Sequence, residues 1–204
     1  MNQATRKRTV LTTAEKRLRQ AFKYLLNPFM VFMWRLGMGV WFNALPDISG
    51  HVMVIVHTGR KSGNVYRTPV NYAELDGELY CVAGFGSVSD WYRNILVHPQ
   101  VEVWLPDAWW AGQIQDVSDD ERRLYLMRQV LIGSGFAAFI AGINPYKMSD
   151  ARLDELTKTY RLVRIRRTGA LTGDGGPGDL AWLWQVATLF LLMWSRVRPK
   201  KNVP

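Results

Sequence analysis

Cysteine and histidine are scarce in this chain of 204 residues. The single cysteine, Cys81, excludes an internal disulfide and argues against a cysteine-based metal site. It lies in an apolar run, so we expect a core side chain rather than a reactive thiol. The three histidines, His51, His57 and His98, are scattered without metal-ligand spacing. The sequence therefore predicts no metal centre.

Acidic residues are also few, with 17 Asp and Glu against 26 Lys and Arg and a formal net charge of +9. Such a surplus favours anionic partners, which include nucleic acid, anionic lipid and an anionic cofactor. The basic residues concentrate at the two ends of the chain, and no helix-turn-helix, zinc finger or aromatic RNA-binding strand is recognisable. We therefore expect no nucleic-acid partner.

The chain lacks a long hydrophobic run. The longest candidate, residues 180–194, has Gln185 and Thr188 as its only polar side chains but falls short of the ~20 residues that a spanning helix needs. Tryptophans stand near both of its ends, and four cations follow it: Arg196, Arg198, Lys200 and Lys201. This pattern predicts a helix at a membrane interface or a short tail anchor. The alternative is a helix docked on the rest of the protein or on a second subunit.

The N-terminal region, residues 1–45, reads as basic and helical. Its first nine residues include Arg6, Lys7 and Arg8 and are expected to be disordered, and a helix then begins near Thr13 with Thr12, Thr13 and Glu15 as its cap. Apolar Leu18, Phe22, Leu25 and Leu26 share one face of this helix, and Lys16, Arg17, Arg19 and Lys23 fill much of the rest. An aromatic run, residues 29–34, follows Pro28. The pattern predicts contact with a membrane surface, and the alternative is a pair of helices packed on the core.

The middle of the chain is rich in strand patterns. We expect strands at 51–57, 65–74, 78–84, 101–105, 109–117 and 162–166, with a tight hairpin at Asp76-Gly77. Helices are predicted at 90–97, at 118–132 with Ser118 in the cap, and at 149–160 after Ser149. Four glycines between residues 172 and 178 predict a flexible linker. The sequence thus divides into a helical region (1–45), a mainly β (α+β) domain (46–168), a linker (169–179) and a C-terminal helix (180–204).

The strongest chemical signal is the segment Gly59-Arg60-Lys61-Ser62-Gly63, which directly follows an apolar strand. Glycine allows a ligand to approach the backbone closely, while Arg offers a fork and Lys a point charge for phosphate or carboxylate. A third cation, Arg67, returns on the next strand. The pattern indicates a site for an anionic small molecule, and the alternative is a solvated basic turn.

These residues also resemble a known family. The segment 59–63, then Arg67-Thr68-Pro69-Val70, then residues 90–99 (DWYRNILVHP) are similar to deazaflavin-dependent nitroreductases and quinone reductases, over residues 30–167. The resemblance implies the split β-barrel of FMN-binding-like proteins, with flanking N- and C-terminal helices. It also implies coenzyme F-420, a deazaflavin whose phosphate and oligoglutamate tail is anionic. FMN is the alternative cofactor, because this fold serves both.

The resemblance assigns site residues as well. The turn and Arg67 would hold the phosphate and tail, the next three residues would pass beneath the ring, and three residues of the following helix would flank it. The cofactor-binding residues implied in this way are Gly59, Arg60, Lys61, Ser62, Gly63, Arg67, Thr68, Pro69, Val70, Trp91, Tyr92 and Asn94. No catalytic side chain is assigned, because the cofactor carries the hydride. His57 departs from the threonine expected there, and Phe136 and Phe139 stand where nitroreductases carry tyrosines.

The resemblance implies an oxidoreductase that passes a hydride from reduced F-420 to a lipophilic small-molecule acceptor such as a quinone or a nitro compound. The terminal patterns favour the cytoplasmic face of the membrane, peripheral or tail-anchored, and the alternative is a cytoplasmic protein. An FMN-dependent reductase and a non-catalytic flavin- or haem-binding module remain open. The acceptor and the oligomeric state are also open, and a homodimer is one possibility.

Overall fold

Six antiparallel strands close into a barrel in the order β1-β2-β3-β6-β5-β4 in the computed structural model, which describes residues 13–197. The strands are β1 Val52–Thr58, β2 Val65–Leu75, β3 Glu78–Ala83, β4 Gln100–Trp104, β5 Trp109–Asp116 and β6 Arg161–Ala170. The helices are α1 Thr13–Ala21, α2 Asn27–Arg35, α3 Gly39–Phe42, α4 Pro46–Ser49, α5 Asp90–Val97, α6 Arg123–Gly133, α7 Phe136–Ile140, α8 Asp150–Thr157 and α9 Leu183–Val197. A π-helical turn, Phe22–Leu26, joins α1 to α2, and a 3-10 turn, Gly86–Val88, precedes α5.

Alternate residues of each strand enter two different apolar clusters, as the two-residue period of a strand requires. On β1, Met53 and Ile55 join the cluster inside the barrel, whereas Val54 and Val56 face outward and pack with Trp34 of α2. All four β1 side chains are thereby buried, which explains the unbroken apolar run in the sequence. Cys81 lies inside the barrel with no exposed surface, and burial raises the pKa of its thiol, as expected for a core cysteine.

The strand predictions agree with the structure to within four residues at every end. Asp76 and Gly77 both adopt positive φ, 54° and 76°, which is the geometry of a two-residue hairpin turn. The predicted helix at 90–97 has the bounds of α5. The fold class, a mainly β split barrel with flanking helices, is confirmed by the strand order.

The predicted start of the helix after β5 was wrong. Ser118 does not cap a helix: its hydroxyl donates to Asp116 Oδ1 at 2.6 Å and accepts from the Leu162 backbone N–H at 2.9 Å. Those two bonds tie the end of β5 to β6, so α6 begins only at Arg123. A serine followed by acidic residues is typical of a helix start, but here a long-range partner takes the hydroxyl.

The glycine-rich segment is held against α2 rather than free. We call residues 171–182 the strap. Its Gly178 N–H donates to the Trp34 carbonyl at 3.0 Å, and its Leu180 N–H donates to the Arg35 carbonyl at 2.8 Å. Asp179 accepts a bidentate hydrogen bond from the Arg35 guanidinium, with contacts of 2.8 to 3.1 Å. The composition that predicts a flexible linker therefore encodes a docked connection.

Helix α9 leaves the strap with almost no packing of its own. Every side chain from Trp184 to Ser195 is exposed, although the Trp184 indole still donates to the Leu36 carbonyl at 2.9 Å. Within residues 13–197, no helix combines the length and the apolar character needed to cross a membrane. The expected disorder of the first nine residues, the cap residue Thr12, and Arg198, Lys200 and Lys201 lie outside the described residues.

Candidate functional site

The Gly59–Gly63 segment forms the turn between β1 and β2. The Gly59 N–H donates to the Asn64 carbonyl at 2.8 Å, and the Gly63 N–H donates to the Gly59 carbonyl at 2.9 Å. Gly63 has φ 68°, and a Cβ added at Gly59 would lie 2.5 Å from the Tyr66 ring. Glycine thus suits position 63 through its positive φ and position 59 through the close approach of the Tyr66 side chain. The turn presents Lys61 and Ser62 to solvent.

Arg60 connects this turn to helix α5. Its backbone N–H and its guanidinium both donate to Asn94 Oδ1, at 3.2 and 2.9 Å, and the guanidinium lies 3.5 Å from an Asp90 carboxylate oxygen. Asn94 is 5% exposed, so its amide fixes the turn from within the protein. The structure therefore brings Arg60 and Asn94 together, although the family resemblance assigns them to different parts of the cofactor.

Asp90 gathers cations around the first turn of α5. Arg19 and Lys23, from the N-terminal helical region, reach its Oδ2 at 2.9 and 3.2 Å. Burial alone would raise the pKa of Asp90, but the Lys23 hydrogen bond and the charges of Lys23, Arg19 and Arg60 bring the pKa below its ordinary value. Three cations thus face one carboxylate, and Lys61 follows Arg60 in the same turn with its side chain exposed. The surplus makes this corner of the molecule attractive to an anion.

A buried histidine extends the Arg60 network into the barrel wall. Asn94 Nδ2 lies 3.3 Å from His57 Nδ1, and His57 Nε2 lies 3.0 Å from Thr68 Oγ1. His57 is 3% exposed, and burial lowers its pKa to about 4. The imidazole is therefore neutral at physiological pH. The sequence marks His57 only as a departure from the threonine that the family resemblance implies, and its polar contact with Asn94 depends on α5, which is distant in the chain.

Arg67 lies apart from the Arg60 network. It pairs with Val56 across the β1–β2 ladder, so it shares the outward face, whereas its neighbour Thr68 points to the other side. Its guanidinium stacks over the Trp104 ring at 5.2 Å and reaches the Gly175 carbonyl of the strap at 3.4 Å. Its Nε is buried without a hydrogen-bond partner among the described residues.

The expected ring-flanking residues divide into two groups. Val70 and Trp91 are half-buried and pack against the cluster inside the barrel. Tyr92 is only 2% exposed, and its hydroxyl donates a short hydrogen bond to Asp116, which makes it a core residue behind Trp91. Pro69 pairs with Val54 and faces outward with Arg67.

The phenylalanines that replace the expected tyrosines are not core residues. Phe136 and Phe139 of α7 are 59% and 42% exposed. Helix α7 has only five residues and buries Ala138 instead. Asp90, which sequence reasoning did not assign to the site, could have been suspected from its position next to Trp91 at the start of a helix.

In this barrel, the β1–β2 turn and α5 form a corner that is rich in cations. Val70 of β2 and Trp91 of α5 add half-buried apolar side chains. A model of the family described as F420H(2)-dependent quinone reductase matches residues 39–144, just over half of the chain. The match includes every candidate site residue from Gly59 to Asn94. The chain belongs to this family, and it is an oxidoreductase whose cofactor is coenzyme F-420 and whose substrate is a small molecule.

Solved structures of similar chains include several barrels. An F420-H2 dependent reductase (FDR-A) shares 18% identity, with 56% of this chain and 93% of that chain covered and a TM-score of 0.43. A conserved hypothetical protein of Mycobacterium tuberculosis shares 16% identity over 83% and 88% of the two chains, with a TM-score of 0.44. HutZ, a haem storage protein of Vibrio cholerae, shares 13% identity over 68% and 94%, with a TM-score of 0.45.

The residues present fit a multiply anionic deazaflavin. Lys61 is exposed at the turn, the Arg60 corner carries more cations than carboxylates, and Arg67, apart from that corner, has a buried Nε with no partner among residues 13–197. A single phosphate would satisfy one such contact, whereas a tail with several carboxylates can engage more of them. The donor set therefore suits the coenzyme.

Proposed function

We propose that this protein transfers a hydride from reduced F-420 to a lipophilic quinone at a membrane surface. Family membership supports the F-420-dependent reductase role. The acceptor rests on one observation: the N-terminal helical region, which exposes apolar side chains, is attached directly to the cation-rich corner where the cofactor is expected. A nitro compound is a second acceptor class compatible with the same family resemblance.

The attachment runs through the N-terminal helical region. Arg19 and Lys23 bind Asp90 of the candidate site, and Phe22 meets Phe85 edge to face with ring centroids 6.5 Å apart. The same region exposes Leu18, Tyr24 and Leu25 by 47%, 71% and 74%. An apolar surface beside the site would let a quinone dissolved in lipid reach the reactive ring without crossing water.

The site residues have separate roles in this proposal. Arg60, Lys61, Ser62 and the turn glycines bind the phosphate and tail, and Arg67 offers a further cation toward the strap. Thr68, Val70, Trp91 and Asn94 position the ring, Pro69 belongs to the same strand but faces outward, and Tyr92 supports Trp91 from the core. When bound, the reduced deazaflavin supplies the hydride. The half-buried faces of Val70 and Trp91 exclude water from one side of it.

Helix α9 supports peripheral membrane contact at the cytoplasmic face. Leu189, Phe190, Leu191 and Met193 are each more than 60% exposed, so apolar side chains surround the helix instead of forming one stripe. A second copy of the chain would cover only one side of such a helix, whereas lipid can cover all sides. Burial is favourable by about 25 cal/mol per Å² of apolar surface. The competing hypothesis is that a second copy of the chain covers α9 in a homodimer.

The test compares two quinones with two forms of the protein. The variant carries Leu189→Gln and Leu192→Gln, which remove apolar surface without removing internal packing. We expect both forms to oxidise reduced F-420 equally with a water-soluble short-chain quinone. Only wild type should turn over a long-chain quinone in vesicles rapidly and float with those vesicles.

The matched control is Thr188→Gln, a polar-to-polar change on the same helix. Equal turnover of the long-chain quinone by wild type and the double variant would remove the membrane part of the proposal. Failure of both quinones, with rapid turnover of a nitroaromatic compound, would replace the acceptor. A halved molecular mass of the double variant in solution would identify a second copy as the occupant of α9.

A further inference from the structure

The polar contacts between Arg60 and Thr68 form a chain whose hydrogen bonds can run in only one direction. Arg60 has only donors on its guanidinium and its backbone nitrogen, and both donate to Asn94 Oδ1. The amide oxygen of Asn94 therefore faces Arg60, and the amide nitrogen must face His57. This orientation follows from the chemistry of Arg60.

The orientation of Asn94 then fixes the tautomer of His57. Asn94 Nδ2 is a donor and lies 3.3 Å from His57 Nδ1, so Nδ1 must carry the lone pair. The ring proton of the neutral imidazole is consequently on Nε2, which lies 3.0 Å from Thr68 Oγ1. His57 thus donates to Thr68, and the threonine oxygen is an acceptor in this bond.

Thr68 is the last member of the chain. Its hydroxyl oxygen accepts from His57, and no other hydrogen bond of this hydroxyl exists within residues 13–197. The hydroxyl hydrogen is thereby left without an acceptor among the described residues, and the Thr68 side chain is only partly buried. A donor in this state is available to a ligand that binds beside β2.

We propose that the Asn94–His57 pair acts as a positioning device that makes the Thr68 hydroxyl an obligatory hydrogen-bond donor to an acceptor atom of the bound deazaflavin. The proposal rests on the F-420 assignment for its ligand, but the direction of the chain does not. Thr68 would discriminate by polarity, favouring an oxygen or an unprotonated ring nitrogen at that position. The same chain locks the Arg60 turn to the strand beneath the ring.

The surroundings of His57 keep this direction constant. The Arg60 guanidinium bonds to Asn94, Asp90 lies beyond Arg60, and the Tyr66 ring stacks on the imidazole with centroids 5.9 Å apart. Burial lowers the pKa of His57 to about 4, so the imidazole does not protonate near neutral pH. Protonation would set an Nδ1–H donor against the Asn94 donor and break the chain.

The first experiment determines the tautomer of His57 in the absence of any cofactor. Nitrogen-15 NMR of the full chain resolves Nδ1 and Nε2 of each histidine, and His57→Gln assigns the His57 signals. We expect a neutral ring with the proton on Nε2 from pH 6 to 8. A proton on Nδ1, or an imidazolium in that range, would overturn the proposal whether or not F-420 binds.

The second experiment measures F-420 affinity by quenching of tryptophan fluorescence. Thr68→Val should bind about 3- to 10-fold more weakly, and Thr68→Ser should bind like wild type. His57→Gln can present an oxygen to Asn94 and an amide N–H to Thr68, so it should retain affinity, whereas His57→Leu should lose it. Unchanged melting temperatures would separate these effects from unfolding.

Equal binding by Thr68→Val and wild type would contradict the donor role of Thr68. Equal binding by His57→Leu and His57→Gln would contradict the positioning role of His57. If no form binds F-420 while the NMR result stands, the cofactor assignment fails and the direction of the chain survives.

Discussion

Lys61 and Arg60 are neighbours in the β1–β2 turn, but the protein holds them very differently. Arg60 is committed to Asn94 and Asp90, whereas Lys61 is exposed and has no hydrogen bond or ion pair to a described residue. We expect Arg60→Ala to weaken F-420 binding by about 10- to 100-fold, because it removes charge-assisted bonds and loosens the turn. Lys61→Ala should cost only about 2- to 5-fold, since exposed charge pairs are weak.

The measurement is a fluorescence titration at low and high salt, with Lys158→Ala as the control for a lost surface charge far along the chain. The Lys61→Ala effect should shrink at high salt because ions screen an exposed contact. If Lys61→Ala and Lys158→Ala behave alike at low salt, Lys61 has no part in the site.

The lowered pKa of His57 also makes the free energy of unfolding depend on pH. Its pKa is about 4 in the folded protein against an ordinary 6.5, so the unfolded chain binds more protons between those values. Stability should therefore fall as the pH drops from about 6.5 to about 4, by about 3 kcal/mol in total for this group. Denaturant unfolding across this range should show a flatter profile for His57→Gln, and His98→Gln should behave like wild type. A profile that His57→Gln leaves unchanged would contradict the buried neutral histidine.

For single residues, the sequence predicted which side chains can bind an anion better than it predicted which of them lie together in space. The sequence located the glycine-flanked turn at residues 59–63, because turn geometry is local, whereas the cofactor-binding roles of Arg60 and Asn94 stay predictions. It could not tell that Arg67 faces outward onto Trp104, since that depends on the register with Val56. It could not find the contact between His57 and Asn94 either, because these residues are 37 positions apart in the chain.

Among the elements, the strap has the most consequence for the rest of the fold. Its Asp179 forms a bidentate pair with Arg35, whereas Asp174 of the same segment forms no ion pair with a described residue. We expect Asp179→Asn to loosen the strap and to speed proteolysis between residues 171 and 182, by an amount that corresponds to about 1 kcal/mol or less. Asp174→Asn is the matched control. Equal cleavage of both variants would mean that the backbone bonds alone hold the strap.

The elements that sequence patterns predicted well are those with local causes. Apolar runs, two-residue alternation and the Asp76-Gly77 turn indicate the strands, and α5 ends before a His-Pro pair. The patterns failed where a distant partner decides the structure. Ser118 bonds to Leu162 rather than capping a helix, and the glycine-rich strap docks on α2 through backbone groups that composition does not reveal.

In the molecule as a whole, the helices that flank the barrel carry both positive charge and exposed apolar surface. Arg19 and Lys23 bridge the N-terminal helices to the candidate site, and the strap carries α9 from the end of α2. The site thus lies among elements suited to an anionic cofactor and a lipophilic acceptor. The family match covers residues 39–144, so these flanking helices are features of this chain outside the matched range.

The central claim is that the cation-rich corner at Arg60 binds F-420 through its multiply charged tail. The most direct measurement is the affinity of the full chain for F-420 and for FMN, each titrated at low and high salt. F-420 should bind at least about 10-fold more tightly at low salt, and that advantage should shrink as salt screens the tail carboxylates. Equal or tighter binding of FMN, or an F-420 affinity that salt leaves unchanged, would contradict the account.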